Sequence, residues 1–227
     1  MYISRIQLKH DTPNVKELVR LLSGDGYHVH RLIWNLYEDT NERKRDFLYR
    51  QEGDGVWPFF YAVSERFPID KTGMWQIDSK TYSPKLLKGQ LLSFIIRVNP
   101  IRAKRDKQNK LHRHDIVMDA KTKKKQVGKE SSGKTPLADI VQEEGTKWLE
   151  GRSGRYGFSI DHNHVRSDGY RQHVVYKRKS TSPIRFSTLD IGGVLTVIEP
   201  ELFVKTLYKG IGPAKGFGCG MMMVKKI

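Results

Sequence analysis

Tyr2, Ile6 and Leu8 fall on one face of an alternating run, which predicts a first strand over residues 2–9. A different period follows: Val29, Leu32, Ile33 and Leu36 recur at i, i+3, i+4 and i+7, the buried stripe of a helix between the candidate N-cap Asp25 and Tyr37. The period then shortens again, so Asp46–Gln51, Pro58–Val63 and Leu91–Val98 read as strands, with 64–88 as a loop region. The apolar density of Leu91–Val98 predicts a strand covered on both faces. Pro136, acceptable in a first helical turn, opens a helix to about Glu150 whose apolar side is Leu137, Ile140, Val141, Trp148 and Leu149. Strands are expected again at Phe158–Val165, Tyr170–Arg178 and Ile184–Ile198. A helix then runs from Pro200 to Gly210, burying Leu202, Phe203 and Leu207, and a last strand spans Gly220–Ile227.

Composition turns sharply basic after Asn99-Pro100, which sets the expected boundary between a domain of residues 1–98 and one of 99–227. Both halves read as strand, helix, strands, although no self-similarity relates their sequences. The expected class is therefore α+β, with two tandem ferredoxin-like, RRM-like domains. Sheets with helices on one side leave an open face or a cleft where single-stranded RNA could lie.

The 227 residues include four Trp, ten Tyr and nine Phe, enough for real cores. The longest nearly unbroken apolar run, Leu91–Val98, is broken by Ser93 and Arg97 and falls far short of the roughly 20 residues of a membrane helix. MYISRIQLKHD places Arg5 and Lys9 where a signal peptide needs an apolar stretch, so a cytoplasmic protein is expected. The single cysteine, Cys219, excludes an intramolecular disulfide framework and a Cys-rich zinc site.

Charge narrows the picture further. Lys and Arg number 41 against 25 Asp and Glu, a formal net charge of +16. Residues 97–227 hold 27 of the basic and 13 of the acidic residues, so +14 of that excess lies in the second half. Arg97–Lys129, which includes Arg102, Lys104 and Arg105, has 12 basic residues against Asp106, Asp115 and Asp119. A polyanionic partner follows, because each phosphate neutralised by Lys or Arg releases a counterion.

Four motifs bear on chemistry. Gly128–Thr135 satisfies G-x-x-x-x-G-K-T, but the charged segment Asp119–Gln126 precedes it where a phosphate loop needs an apolar strand, so we read a basic loop. Gly210-Ile211-Gly212-Pro213-Ala214-Lys215-Gly216-Phe217-Gly218-Cys219-Gly220 packs five glycines between a helix and a strand. Such a backbone can approach a ligand closely, and exposed N–H groups with Lys215 suit phosphate oxygens. On the first helix, at about 100° per residue from Val29, His30, Trp34, Tyr27 and Arg31 share the flank facing away from the core, whereas His28 lies opposite. Tyr27 and His30 thus form a candidate acid/base pair. His112/His114 and His162/His164 each put two imidazoles on one strand face, but no neighbouring carboxylates or thiolates complete a metal site.

These residues carry a resemblance over nearly the whole chain. MYISRIQL, Tyr27-His28-Val29-His30-Arg31 continuing to Trp34, Arg45-Asp46-Phe47-Leu48, Arg97-Val98-Asn99-Pro100 and above all GIGPAKGFGCG resemble CRISPR-associated repeat-RNA endoribonucleases of the CasE type. The resemblance implies two ferredoxin-like domains, cleavage of CRISPR repeats without metal or cofactor, retention of the product, and assembly with other subunits into Cascade. It assigns the catalytic histidine to His30 and its accompanying tyrosine to Tyr27. The basic hairpin Lys177-Arg178-Lys179 would grip the repeat stem-loop. Arg31, Arg97, Arg102, Lys104, Arg105, Gly210, Gly212, Lys215, Gly216 and Gly218 are the further candidate RNA contacts. Either Arg31 or Lys215 would stabilise the transition state. The alternative from another class is an RNA-binding subunit without catalysis.

Overall fold

A computed structural model describes residues 1–9, 26–37, 45–53, 57–127, 135–176 and 182–227. The chain forms two compact units. The first comprises Met1–Lys85, Val174–Arg185 and Leu207–Met221, and the second Leu86–His173, Phe186–Thr206 and Met222–Ile227.

In the first unit β1 (Tyr2–Leu8), α1 (Gly26–Trp34), β2 (Phe47–Glu52), β3 (Phe59–Ser64) and β4 (Trp75–Thr81) follow in order. The sheet order is β2-β3-β1-β4, and every neighbouring pair is antiparallel. Register places Ile6 opposite Phe60 on one side and Ile77 on the other. The expected alternation holds: Ser4, Ile6 and Leu8 are buried while Arg5 is exposed. The helical stripe Val29, Leu32, Ile33 and Leu36 packs with Ile6, Leu8, Phe47, Tyr49, Phe60, Ala62 and Trp75 into one core. This is the split β-α-β pattern, with an irregular stretch, 65–74, where a second helix would precede β4. Asp70 organises that stretch, accepting from Thr72 N at 2.8 Å and, through its other oxygen, from Trp75 N at 2.7 Å. The strand β4 falls within the expected loop region 64–88; as an edge strand it buries only Trp75 and so carries no clear alternation.

The second unit contains β5 (Leu91–Val98), β6 (Ile101–Arg105), β7 (Leu111–Asp115), α2 (Ile116–Val127), α3 (Leu137–Ser153), β8 (Phe158–Val175), β9 (Ile184–Val197), α4 (Pro200–Lys209) and β10 (Met222–Lys226), some of whose ends reach into the first. Its main sheet runs β10-β5-β9-β8, the same permutation as the first sheet, and β6-β7 form a separate hairpin. The expected boundary at 98/99 therefore differs from the division by contacts. Leu91–Val98 pairs with β9 and β10, a long-range choice that alternation alone cannot read. Nor is β5 covered on both faces: Leu92, Phe94, Ile96 and Val98 are buried, while Leu91 and Ile95 are exposed.

Asp115 caps α2, its Oδ1 accepting from Val117 N at 2.9 Å and Met118 N at 3.0 Å, while Oδ2 accepts from Tyr170 Oη at 2.9 Å and from Ser187 Oγ. α3 lies close on the sheet because Gly145 has no side chain; a Cβ there would fall 2.7 Å from Leu189 Cδ2. β8 is continuous where two strands were expected, passing through Gly169 in the left-handed region at φ 63°.

Among the described glycines the closest approach is at Gly193, whose φ of 156° places a would-be Cβ 2.1 Å from His164 O. Gly193→Ala is expected to destabilise the protein by about 2–4 kcal/mol, since only a shift of β8 could relieve the clash. Gly151→Ala, on α3 with nothing within 4 Å, should stabilise by about 0.5–1 kcal/mol through helix propensity. Urea denaturation of both variants checks the pair, and equal midpoints would contradict this packing.

Candidate active site

The first unit brings its helix, an edge strand and the glycine-rich segment together. Gly210, Gly212, Gly218 and Gly220 have φ of 71°, 78°, 78° and 90°, and Ala214 between them has 58°. The left-handed region thus recurs every other residue except at Gly216, which lies inside the single 3₁₀ turn Lys215–Phe217. At Gly210 a Cβ would meet Gly220 O at 2.8 Å and Leu48 Cδ1 at 2.9 Å. Tyr49, from the same edge strand β2, donates its hydroxyl to Gly216 O at 2.8 Å. The segment is therefore tied to neighbouring residues of β2.

His30 meets this segment from α1. A Cβ at Gly216 would lie 3.6 Å from His30 Cε1, 3.7 Å from His30 Nδ1 and 3.6 Å from Arg45 Nη1. Imidazole and guanidinium thus converge over a residue with no side chain. Trp34, one turn along α1, supports the imidazole edge-on at 5.5 Å and itself packs on Phe47 at 5.6 Å. Trp34 therefore sits at the margin of the core rather than facing away from it, while Arg31 is exposed. His30 Nδ1 is buried and has no hydrogen-bond partner among the described residues.

Burial, and then the nearby Arg45 charge, hold the His30 imidazole below its ordinary value. Burial also lowers Arg45. Lys215 is lowered by burial, then by Arg45 and Lys209, although its Nζ donates to Lys209 O at 2.6 Å. Burial pushes the Tyr49 phenol far up, so it remains a neutral donor. Among the described residues, no carboxylate acts on His30, Arg45 or Lys215. A desolvated set of cations without a counter-anion can hold an anion, and a neutral imidazole among them can accept a proton.

Tyr27 lies three residues before His30 on the same helix, half-buried. Gly210, Gly212, Lys215, Gly216 and Gly218 form the segment just described. Other expected contacts stand elsewhere. Arg97 holds Asp190 through two hydrogen bonds, Nε to Oδ1 at 3.0 Å and Nη2 to Oδ2 at 2.8 Å. Lys104 pairs with Asp119, Arg105 donates to Asn109 O at 2.9 Å, and Arg102 is exposed on the same hairpin. Lys177, Arg178 and Lys179 lie outside the described residues, as does most of Gly128–Thr135. His112 and His164 each pair with an exposed aspartate, Asp106 and Asp161. Among the described residues, no three His, Cys, Asp or Glu side chains converge as a metal site. Arg45 opens Arg45-Asp46-Phe47-Leu48, one of the segments that carry the resemblance, but is not among the site residues expected from the sequence.

The family model described as CRISPR associated protein matches residues 1–226. The Cascade subunit CasE of the CRISPR system of Escherichia coli K12 is 27% identical over 207 residues, covering 90% of this chain and 94% of that protein. Thermus thermophilus Cse3, bound to an RNA representing a pre-cleavage complex, superposes with a TM-score of 0.69 at 23% identity, over 99% of this chain and 98% of that one. Cas6e from Escherichia coli K-12, a CRISPR-associated protein, gives 0.59 at 20% identity over both chains in full. These likenesses share the fold.

His30 should titrate below pH 6.5 in the RNA-free protein, and Arg45→Gln should move it up toward, but not beyond, that value because burial remains. The sign for stability follows: the contribution of neutral His30 is present above about pH 6.5 and is lost as pH falls through the lowered folded-state value. Imidazole NMR titration of both proteins checks this, and a wild-type value above 6.5 would contradict it. Tyr49→Phe, which strands the Gly216 carbonyl, is expected to cost about 1 kcal/mol by urea denaturation.

Proposed function

The chain belongs to the CRISPR associated protein family, and on that premise we propose that it is a metal-independent endoribonuclease that cleaves precursor CRISPR RNA at its repeat stem-loops. One observation carries this reading: a half-buried imidazole, held neutral near pH 7, stands beside a cation on a glycine-rich turn within a strongly basic chain. The names borne by the relatives, an endoribonuclease bound to RNA and a Cascade subunit, agree with it.

RNA carries its own nucleophile. Removal of the proton from a ribose 2′-hydroxyl lets that oxygen attack the adjacent phosphorus in line. The P–O5′ bond breaks, and O5′ takes up a proton. The products are a 2′,3′-cyclic phosphate and a 5′-hydroxyl, with no net proton change and no external water consumed. The protein has only to orient the linkage, move protons and stabilise charge. His30 serves as general base or general acid. Tyr27 orients the ribose or phosphate, or transfers the second proton. The glycine-rich segment presents its backbone and Lys215 to the phosphates. Arg31, Arg102 and the hairpin residues Lys177, Arg178 and Lys179 provide charge for the stem-loop, which is held by shape and backbone contacts. Arg97, Lys104 and Arg105 would add charge for the RNA from beside the partners they now hold. The product stays bound and the protein joins other Cascade subunits, in the cytoplasm.

His30→Ala is expected to abolish cutting of a labelled repeat hairpin, a loss of at least about 10²- to 10⁴-fold, while affinity changes by no more than a few fold. Full cleavage by that variant would refute the assignment. Wild-type cleavage should survive excess EDTA and stop when the attacking nucleotide is 2′-deoxy; strict Mg²⁺ dependence would exclude the mechanism.

A further inference from the structure

We propose that Arg45 is a catalytic residue, its guanidinium holding a non-bridging oxygen of the scissile phosphate beside His30. The proposal deepens the reading of this site as a ribonuclease centre and rests on it. Arg45 Nη1 and His30 Cε1 both come within 3.6 Å of one point over Gly216. A phosphate there meets a fork of N–H donors and an imidazole at once. No carboxylate pairs with Arg45 among the described residues, unlike Arg97, Arg66 and Lys104, which hold Asp190, Asp46 and Asp119. A partly desolvated guanidinium lacking a counter-anion is a group awaiting one.

Lys215 and Arg31 are less well placed for this role. Lys215 spends one N–H on Lys209 O at 2.6 Å, closing the end of α4. Arg31, on a regular helix, is turned about 100° from His30. Arg45 instead sits just ahead of β2, whose Tyr49 fixes the carbonyl of Gly216. One strand thus positions both the turn and the cation over it.

The chemistry needs such a group. As O2′ bonds to phosphorus and before the P–O5′ bond has broken, negative charge grows on the non-bridging oxygens. Donors aimed there are worth more in the transition state than in the ground state. Arg45 donates hydrogen bonds throughout and neither gains nor loses a proton, which leaves proton transfer to His30.

Single-turnover cleavage of a repeat hairpin tests this, using the unmodified phosphate and the separate Rp and Sp phosphorothioates at the scissile linkage. Wild type should cut one diastereomer faster. Arg45→Ala should slow the unmodified substrate by about 10²- to 10³-fold and erase most of the diastereomer preference. Affinity for a 2′-deoxy hairpin should stay within a few fold, and Arg45→Lys should recover part of the rate. Cleavage by Arg45→Ala within a few fold of wild type, or an intact diastereomer preference in that variant, overturns the proposal. His30→Ala runs alongside. If it is inert while Arg45→Ala cuts normally, only the role of Arg45 fails; if it cuts, the ribonuclease reading itself fails.

Discussion

A backbone stripped of side chains can come where no ordinary chain could, and the candidate site depends on that. Gly210 has space for a hydrogen and nothing more, between Gly220 O and Leu48. Gly216 turns its bare Cα toward His30 and Arg45. The Tyr49 hydroxyl then pins the turn to edge strand β2. The bond is worth about 1 kcal/mol net, but it sets the distance between backbone and imidazole. The aromatic chain behind it, Trp34 on Phe47 and Phe47 stacked at 4.3 Å on Tyr37, fixes the helix that carries His30.

Electrostatics separates this place from the rest of a basic molecule. Much of the charge elsewhere is locally balanced: Asp119 is shared by Lys104 and Lys123, Glu143 by Lys124 and Lys147, and Asp190 is held by Arg97. Exposed pairs of this kind add little stability, on the order of 1 kcal/mol or less each. Arg45 instead depresses both His30 and Lys215, without a described acid between them. Mutual repulsion there costs folding energy, which a bound phosphate would return as binding energy.

The two units reach one strand permutation, β2-β3-β1-β4 and β10-β5-β9-β8, by different means. In the first, an irregular stretch ordered by Asp70 leads into the edge strand β4. In the second, the β6-β7 hairpin and α2, capped by Asp115, are inserted after the first strand. The insertion carries much of the excess positive charge, whereas the imidazole and its partners belong to the other unit.

Periodic burial is what the amino-acid order alone makes legible. The alternation of β1, the Val29–Leu36 stripe, α3, β9 and α4 could all be read from it, because a residue's inward or outward direction follows from local geometry. So could the glycine-rich segment, since five glycines in eleven residues mark a backbone that must adopt conformations closed to other residues. β4, β6, β7 and α2 escaped because edge strands and a lysine-rich helix bury too little to leave a period. Three features emerge only once the chain is folded: Leu91–Val98 joins the second sheet, Arg97 is spent on Asp190, and Arg45 stands with His30 over Gly216. Each is a pairing between residues well separated in the chain, settled by which surfaces meet on folding, and no local pattern of polarity encodes it.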